Sequence, residues 1–258
     1  MPKRLPRPLA HQCALFRLAW QFLTRVPPPG AARWTPGRMA AAPRYFPAVG
    51  ALVGLSGAAV LGATALVLPP LVALLLSVAA TLAMTGALHE DGLADTFDGL
   101  GAATPAAALE VMRDSRLGSF GALALGLGLA LKVAALASLP VWAAALALVA
   151  GHAASRAAAV LALARGRYAR REGKSRFTAG GLDPMGLRIA LACGALGLLP
   201  LAGLGLPAPL LAAAGLCLGY CAAWWIGARR LGGYTGDTLG ATQQLSEIGL
   251  YLALAAWA

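Results

Sequence analysis

Residues 71–88 read LVALLLSVAATLAMTGAL, and residues 89–100 continue directly with HEDGLADTFDGL. The first stretch is an uncharged apolar run, close to the roughly 20 residues that a membrane-spanning helix needs. The second is acidic, because six of the chain's ten Asp and Glu residues lie between residues 90 and 114. The junction predicts a helix that crosses a membrane and delivers the chain to a cluster of carboxylates at one membrane face.

Three aspartates within the acidic stretch, Asp91, Asp95 and Asp98, are spaced i, i+4 and i+7. On a helix this spacing places the three carboxylates on one face. Like charges on one face repel, and a divalent cation that prefers hard oxygen ligands would compensate them. The spacing therefore indicates a Mg²⁺ site. The alternative is a solvated acidic helix start, since carboxylates are stabilising in a first turn.

The composition is that of a membrane protein. The chain has 258 residues, of which 59% are hydrophobic and 12% charged, with a formal net charge of +11. In a soluble domain this charge would suggest nucleic acid. Here the basic residues lie mainly in loops, where they report topology and attraction to anionic lipid or phosphate. We expect a lipid bilayer and no nucleic acid as partner.

We predict an all-α, polytopic integral membrane helical bundle, a single domain over residues 1–258 with six to seven transmembrane helices. A basic interfacial segment, residues 1–47, opens the chain and includes a short helix over residues 15–26. The last apolar piece, residues 245–258, falls short of a full crossing and is expected to be short, tilted or partly inserted. The predicted spans are residues 48–68, 71–88, 118–139, 141–164, 188–206 and 210–228.

The positive-inside rule gives this bundle an orientation. The basic N-terminus is cytoplasmic, and three hairpins with Pro-marked outer turns return every polar loop to the same side. These loops cover residues 89–117, 165–187 and 229–244. We therefore expect the polar chemistry at the cytoplasmic face of a bacterial cytoplasmic (inner) membrane.

A second polar group follows the acidic stretch. Glu110 and Asp114 are i, i+4 and can share a helix face, and Arg113 and Arg116 add two cations. Acids that hold a metal and guanidiniums that bind phosphate oxygens together suit a phosphorylated substrate. The alternative is a set of ion pairs within one helix, which contributes little.

Ionisable residues also occur within the predicted spans: Lys132, His152 and Arg156. Such residues are costly in a bilayer and usually face a cavity or a partner. His152 and Arg156 are i, i+4, and we interpret them as an inward, phosphate-facing pair. Lys132 can instead snorkel to the interface. The basic loop either provides the positive charge expected on the cytoplasmic side or collects an anionic substrate. It carries Arg165, Arg167, Arg170, Arg171, Lys174 and Arg176.

A glycine-rich stretch, GGYTGDTLGA at residues 232–241, forms a third group. Glycines allow the backbone to approach a ligand closely. Asp237 can ligate a metal or cap the helix that follows.

Ordered blocks along nearly the whole chain resemble the cobalamin synthase family, the adenosylcobinamide-GDP ribazoletransferases. They are FLTRVP (22–27), RYFPAVG (44–50), the acidic stretch (89–99), MRDSRLGSFG (112–121) and GGYTGDTLGA (232–241). Spaced aspartates alone would also fit a membrane prenyltransferase or CDP-alcohol phosphotransferase. The chain lacks the D-G-x2-A-R element of the latter and a second aspartate-rich loop of the kind expected in aromatic prenyltransferases. It departs from the family pattern at Gln244, where many members place Glu, and Glu247 is the nearby acid.

The resemblance implies a Mg²⁺-dependent enzyme that joins adenosylcobinamide-GDP to α-ribazole or α-ribazole 5′-phosphate. The products are adenosylcobalamin, or its 5′-phosphate, and GMP. It places the metal on Asp91, Asp95, Asp98, Asp114 and Asp237. It assigns phosphate neutralisation to Arg113 and Arg116.

We expect Lys132, His152 and Arg156 to contribute to substrate binding. By proximity, His89 is a candidate general base. A homo-oligomer is left open. The non-enzyme alternative is an anion transporter that uses Lys132 and Arg156. Transport sites lie near mid-membrane, whereas these acids cluster at one face, which favours surface chemistry.

Overall fold

The computed structural model describes residues 7–28, 30, 32–169 and 182–257, and these residues form helices without a β-strand. The helices in chain order are α1 (Arg7–Leu23), α2 (Pro36–Ala41), α3 (Phe46–Thr64), α4 (Pro70–Thr85), α5 (Leu88–Leu100), α6 (Pro105–Val111), α7 (Ser119–Ala137), α8 (Val141–Arg165), α9 (Pro184–Leu198), α10 (Pro207–Ile226) and α11 (Gly236–Trp257). Most begin at or next to proline, which is preorganised for the first helical turn.

Five helical segments within the described residues are long and apolar enough to cross a membrane. A sixth span results if α4 and α5 are counted together. The polytopic helical membrane protein predicted from hydropathy is therefore confirmed. The five segments are Pro36–Thr64, Ser119–Ala137, Val141–Arg165, Pro184–Leu204 and Pro207–Leu231.

The core is built around α8, whose residues from Ala143 to Leu163 are almost all buried. Helix α3 lies close against it, since a Cβ at Gly50 would lie 2.2 Å from the carbonyl oxygen of His152. Helix α10 approaches α11 just as closely at Gly215 and Gly249. Small residues of this kind are typical of helix contacts within membranes.

Helices α4 and α5 meet at a bend of 87°. Gly86 (φ 65°) and Ala87 (φ 53°) are both left-handed, which ends α4 and redirects the chain. The side chain of Arg25 covers the bend, and the Arg25 amide donates to the carbonyl of Met84 at 2.7 Å. The predicted span at residues 71–88 therefore ends three residues early. The acidic stretch is a separate helix with its own direction.

The last helix differs most from the prediction. Helix α11 has 22 residues and begins at Gly236, within the predicted loop. At 1.5 Å per residue it is about 33 Å long, so the expected shortness of the final segment is wrong. Helix α11 is not among the described segments that are both long and apolar enough to cross a membrane, so its tilt or partial insertion stays a prediction. Hydropathy scores Gln243, Gln244 and Glu247 as though they faced lipid. In the structure all three are buried against other helices.

The polar loops converge at one end of the bundle, as the topology predicted. The Tyr234 amide donates to the carbonyl of Arg167 at 2.8 Å, and the Ala169 amide donates to the carbonyl of Tyr234 at 2.8 Å. The acidic helix joins them through Gly92, where a Cβ would lie 2.7 Å from the carbonyl oxygen of Asp237. The remaining basic-loop residues singled out above, Arg170, Arg171, Lys174 and Arg176, lie outside the described residues.

Candidate active site

Helix α5 carries all three aspartates of the predicted metal face, so the helical spacing is confirmed. Asp91 is exposed, and Asp95 and Asp98 are half-buried. The four-residue spacing puts Asp91 and Asp95 on the same face, one turn apart.

Asp98 has a structural task that the sequence did not reveal. Its carboxylate accepts hydrogen bonds from the amides of Gly118 (2.8 Å) and Gly121 (2.7 Å) at the start of α7. A Cβ at either glycine would lie 2.3 Å from this carboxylate. Asp98 therefore satisfies amides that a helix start leaves without partners, and it ties α5 to α7. Its predicted metal role stays a prediction, since each oxygen keeps a further lone pair.

Asp114 forms a close pair with Arg116. Nη2 of Arg116 lies 2.5 Å from Oδ2 of Asp114, and the Arg116 amide donates to Oδ1 at 3.0 Å. These hydrogen bonds lower the pKa of Asp114 to about 2. Helix α6 ends at Val111, so the predicted helix face shared by Glu110 and Asp114 is wrong. Asp114 instead accepts the hydrogen bond from the amide two residues later, which forms a local turn in place of a further helical turn.

Asp237 lies in the first turn of α11, against the acidic helix. Its backbone contacts Gly92, and Gly240 approaches the backbone of His89. The cap of α11 is Thr235, whose hydroxyl accepts from the Thr238 amide while the Thr238 hydroxyl accepts from the Thr235 amide. Asp237 is therefore not needed as the helix cap. The acidic and glycine-rich blocks meet at this contact.

Within the described ranges, no three His, Cys, Asp or Glu side chains form a group that could hold a metal ion. Mg²⁺ commonly binds through one or two carboxylates and completes its shell with water and substrate phosphate. Asp91 and Asp95, with Asp237 beside their helix, supply the hard oxygen donors that such a site needs. The donor chemistry fits Mg²⁺, and the metal site stays a prediction.

A network of buried polar side chains lies inside the bundle next to α5, and Lys132 of α7 is one of its members. Its ammonium lies 3.0 Å from Oε1 of Glu247 and 3.7 Å from Oε1 of Glu90. It also donates to Oε1 of Gln244 at 3.0 Å, and Gln244 in turn donates to Glu90 at 2.8 Å. Lys132 is only 5% exposed. The snorkelling alternative is therefore wrong.

The network continues to α8. Nη1 of Arg156 donates to the carbonyl of His152 at 2.9 Å, and Nδ1 of His152 lies 3.7 Å from Oε2 of Glu247. The Tyr251 hydroxyl donates to Oε1 of Glu247 at 3.0 Å. The structure thus brings together the three ionisable residues that the sequence placed within spans. Their predicted phosphate-facing role stays a prediction.

The sequence reasoning named Glu247 as a nearby acid but missed its neighbours Gln243 and Tyr251. Gln243, Glu247 and Tyr251 follow one another at four-residue spacing and lie on one face of α11. This four-residue spacing can be read from the sequence, but Gln243 lay inside the predicted loop over residues 229–244. His89 is buried at the contact between α5 and α11. Its role as a base stays a prediction.

A cavity of about 190 Å³ lies at the same end of the bundle, between the ends of α8 and α10 and the start of α11. Two aromatic side chains, Trp224 and Tyr234, and two arginines, Arg165 and Arg167, contribute to its lining. Thr238 lines it as well, directly after Asp237.

A sequence model described as cobalamin-5-phosphate synthase matches residues 15–255. The chain belongs to the cobalamin-5-phosphate synthase family. Three relatives carry the name adenosylcobinamide-GDP ribazoletransferase. The protein from Leptothrix cholodnii is 46% identical over 95% of this chain and 96% of its own. The protein from Ralstonia nicotianae is 43% identical over 96% of this chain and 97% of its own. The protein from Shewanella amazonensis is 40% identical over 93% of this chain and 94% of its own. No solved structure matches.

Membership in the cobalamin-5-phosphate synthase family confirms the resemblance stated from the sequence blocks. The RYFPAVG block enters α3, and its Arg44 is buried and pairs with Asp183 at 2.6 Å. The acidic block is α5, and the MRDSRLGSFG block carries the amides that bind Asp98. The acidic, MRDSRLGSFG and glycine-rich blocks therefore meet around the acidic helix, although they are far apart along the chain, whereas the RYFPAVG block packs against α8.

Proposed function

We propose that this chain is an integral membrane adenosylcobinamide-GDP ribazoletransferase. It transfers the adenosylcobinamide-phosphate group of adenosylcobinamide-GDP to α-ribazole or α-ribazole 5′-phosphate. The family match over residues 15–255 carries this proposal. The packing of α5 against the start of α11, which gathers Asp91, Asp95 and Asp237 at one polar end, supports it.

In this reaction a ribazole hydroxyl gives its proton to a base, for which His89 is the candidate, and its oxygen forms a bond to the phosphorus that bears the cobinamide group. The bond from that phosphorus to the GMP oxygen breaks, and GMP leaves with the added negative charge. Phosphoryl transfers of this kind depend mostly on positioning and on neutralising charge. Arg113 and Arg116 are exposed beside the acidic helix, where guanidiniums can bind phosphate oxygens.

Asp91 and Asp95 would hold Mg²⁺, with water and substrate phosphate completing its shell and Asp237 nearby at the start of α11. A bound magnesium ion would neutralise charge on the diphosphate and on the departing GMP. The chain's own contribution is to fix the carboxylates. The bend at Gly86–Ala87 sets the direction of α5, Asp98 ties it to α7, and Glu90 anchors it to Lys132.

We place the site at the cytoplasmic face of the bacterial inner membrane. The basic N-terminal segment and the Arg residues of the polar loops support this orientation by the positive-inside rule. Because the diphosphate and GMP are charged and water-soluble, they can reach a carboxylate cluster that lies at a membrane surface.

The test is GMP release from adenosylcobinamide-GDP plus α-ribazole by the purified protein, with and without Mg²⁺. We expect Asp95→Asn to lower the rate at least about a hundredfold, which is roughly 3 kcal/mol of barrier. Glu110→Gln removes an exposed carboxylate nearby and is the matched control, with near wild-type activity expected.

Three outcomes are informative. Equal activity of wild type and Asp95→Asn would refute the metal assignment while the reaction stands. A folded wild type that never releases GMP would refute the proposed function and direct attention to CDP-alcohol and prenyl diphosphate substrates. GMP release in detergent, where no second compartment exists, would exclude the anion transporter as the sole activity.

A further inference from the structure

We infer that the cavity between α8, α10 and α11 is the binding site of the acceptor nucleoside, α-ribazole or its 5′-phosphate. This inference rests on the proposed function and adds a subsite to it. The cavity is distinct from the carboxylates of α5, which serve the diphosphate of the other substrate.

The size of the cavity fits an aromatic ring system. At about 190 Å³ it exceeds the roughly 150 Å³ of an engineered cavity that holds benzene. The corrinoid macrocycle is far too large for this volume. Trp224 and Tyr234 supply aromatic surface of the kind that packs against a flat base.

The lining distinguishes between the two nucleosides of the reaction. Guanine carries several donors and acceptors on its edge, and each of them needs a hydrogen-bond partner when the base is buried. Among the described residues that line the cavity there is no Asp, Glu, Asn or Gln. The base of α-ribazole is a dimethylbenzimidazole, which is mostly apolar at its edge, so burying it in such a lining leaves few polar groups without partners.

The charges favour a phosphate on the same ligand. Arg165 and Arg167 line the cavity and are exposed, and neither forms a salt bridge with another described residue. Guanidiniums bind phosphate oxygens through strong, charge-assisted hydrogen bonds. The geometry therefore assigns these two residues to the 5′-phosphate and predicts a preference for the phosphorylated acceptor.

The position of the cavity suits an acceptor. Thr238 lines it, and the preceding residue, Asp237, packs on Gly92 of the acidic helix. A nucleoside bound here would lie next to the contact between α11 and α5, near the place proposed for the diphosphate of the donor. Close approach of this kind is what converts two bound substrates into a reactive pair.

The experiment fills the cavity from its exposed side. Ala228 lines the cavity and is exposed, so Ala228→Phe adds a ring without disturbing the core. Ala222→Phe, also exposed but outside the lining, is the matched control. We expect Ala228→Phe to raise the KM for α-ribazole at least about tenfold, about 1.4 kcal/mol, with the KM for adenosylcobinamide-GDP unchanged.

A second pair of variants tests the phosphate assignment. Arg165→Gln combined with Arg167→Gln should reduce the preference for α-ribazole 5′-phosphate over α-ribazole about tenfold in kcat/KM. Arg229→Gln combined with Arg230→Gln is the control, since both arginines are exposed and lie outside the lining. An unchanged preference in the first pair would overturn the phosphate assignment.

Calorimetric binding of α-ribazole without the second substrate separates this inference from the proposed function. Binding to wild type and to Ala222→Phe, but not to Ala228→Phe, supports the cavity even if no GMP is released. Equal binding by all three proteins overturns it, and so does a rise in the KM for adenosylcobinamide-GDP alone. Trp224→Ala, with Trp225→Ala as control, replaces the first pair if Ala228→Phe does not fold.

Discussion

Glu247→Gln removes one negative charge from the centre of the buried network, and the structure allows the cost to be worked out. The Glu247 carboxylate accepts hydrogen bonds from Lys132 and Tyr251, both at 3.0 Å, and from Gln243. A hydrogen bond to a charged group contributes about 1.5–3 kcal/mol, and a buried pair that loses one partner costs about 3–5 kcal/mol. Because Glu90 still lies 3.7 Å from Lys132, we expect the lower end, about 3 kcal/mol.

The assay is thermal unfolding of the detergent-solubilised protein. At about 2–4 °C per kcal/mol for a chain of this size, Glu247→Gln should lower Tm by about 6–12 °C. Glu110→Gln makes the same substitution at an exposed site and should leave Tm nearly unchanged. Lys132→Met added to Glu247→Gln should cost less than the sum of the two single losses, because both changes break the same Lys132–Glu247 pair. A fall below about 2 °C in the single variant, or purely additive losses in the double one, would refute the reasoning.

Three further predictions concern the acidic helix. Asp98→Ala removes the acceptor for two amides at the start of α7 and should cost about 1–2 kcal/mol of stability. Thermal unfolding measures this loss, and an unaltered Tm would contradict the role of Asp98 as a cap. Gly92→Ala places a Cβ 2.7 Å from the Asp237 carbonyl oxygen and should reduce GMP release. The control is Gly126→Ala, whose Cβ would meet no atom of another element within 4 Å, and it should be neutral or stabilising. Equal activity of the two variants would contradict the close packing at Gly92. Gly86→Ala introduces strain at φ 65° and should lower Tm by more than Gly126→Ala does; equal Tm values would show that the bend tolerates a side chain.

The sequence predicted the helical membrane class, the convergence of the polar loops and the helical spacing of Asp91, Asp95 and Asp98. These features follow from hydropathy, charge and residue spacing, which are local or additive properties. The bend between α4 and α5 was not predicted. It depends on two consecutive left-handed residues, of which Ala87 carries no conformational signal in its sequence.

The tasks of individual carboxylates could not be derived in the same way. Asp98 binds amides of α7, and Glu247 binds a lysine of α7 and a tyrosine of its own helix. Spacing alone cannot distinguish these acids, because the residues of α7 that pair with them lie far away along the chain. The limits of α11 were missed for a related reason, since a polar residue paired inside a bundle is indistinguishable by hydropathy from one in a loop.

The burial of Gln243, Gln244 and Glu247 in α11 has a consequence for the biogenesis of the protein. A charged residue near the middle of a helix opposes insertion by about 2.5–3.5 kcal/mol, so this segment enters a bilayer poorly on its own. Its partners, Glu90, Lys132 and the helix of His152, are all synthesised earlier. We therefore expect α11 to insert last, stabilised by the charged side chains of helices that are already in the membrane. A ribosome-bound chain that ends before α11 would leave Lys132 without Glu247 and with Glu90 as its acidic partner.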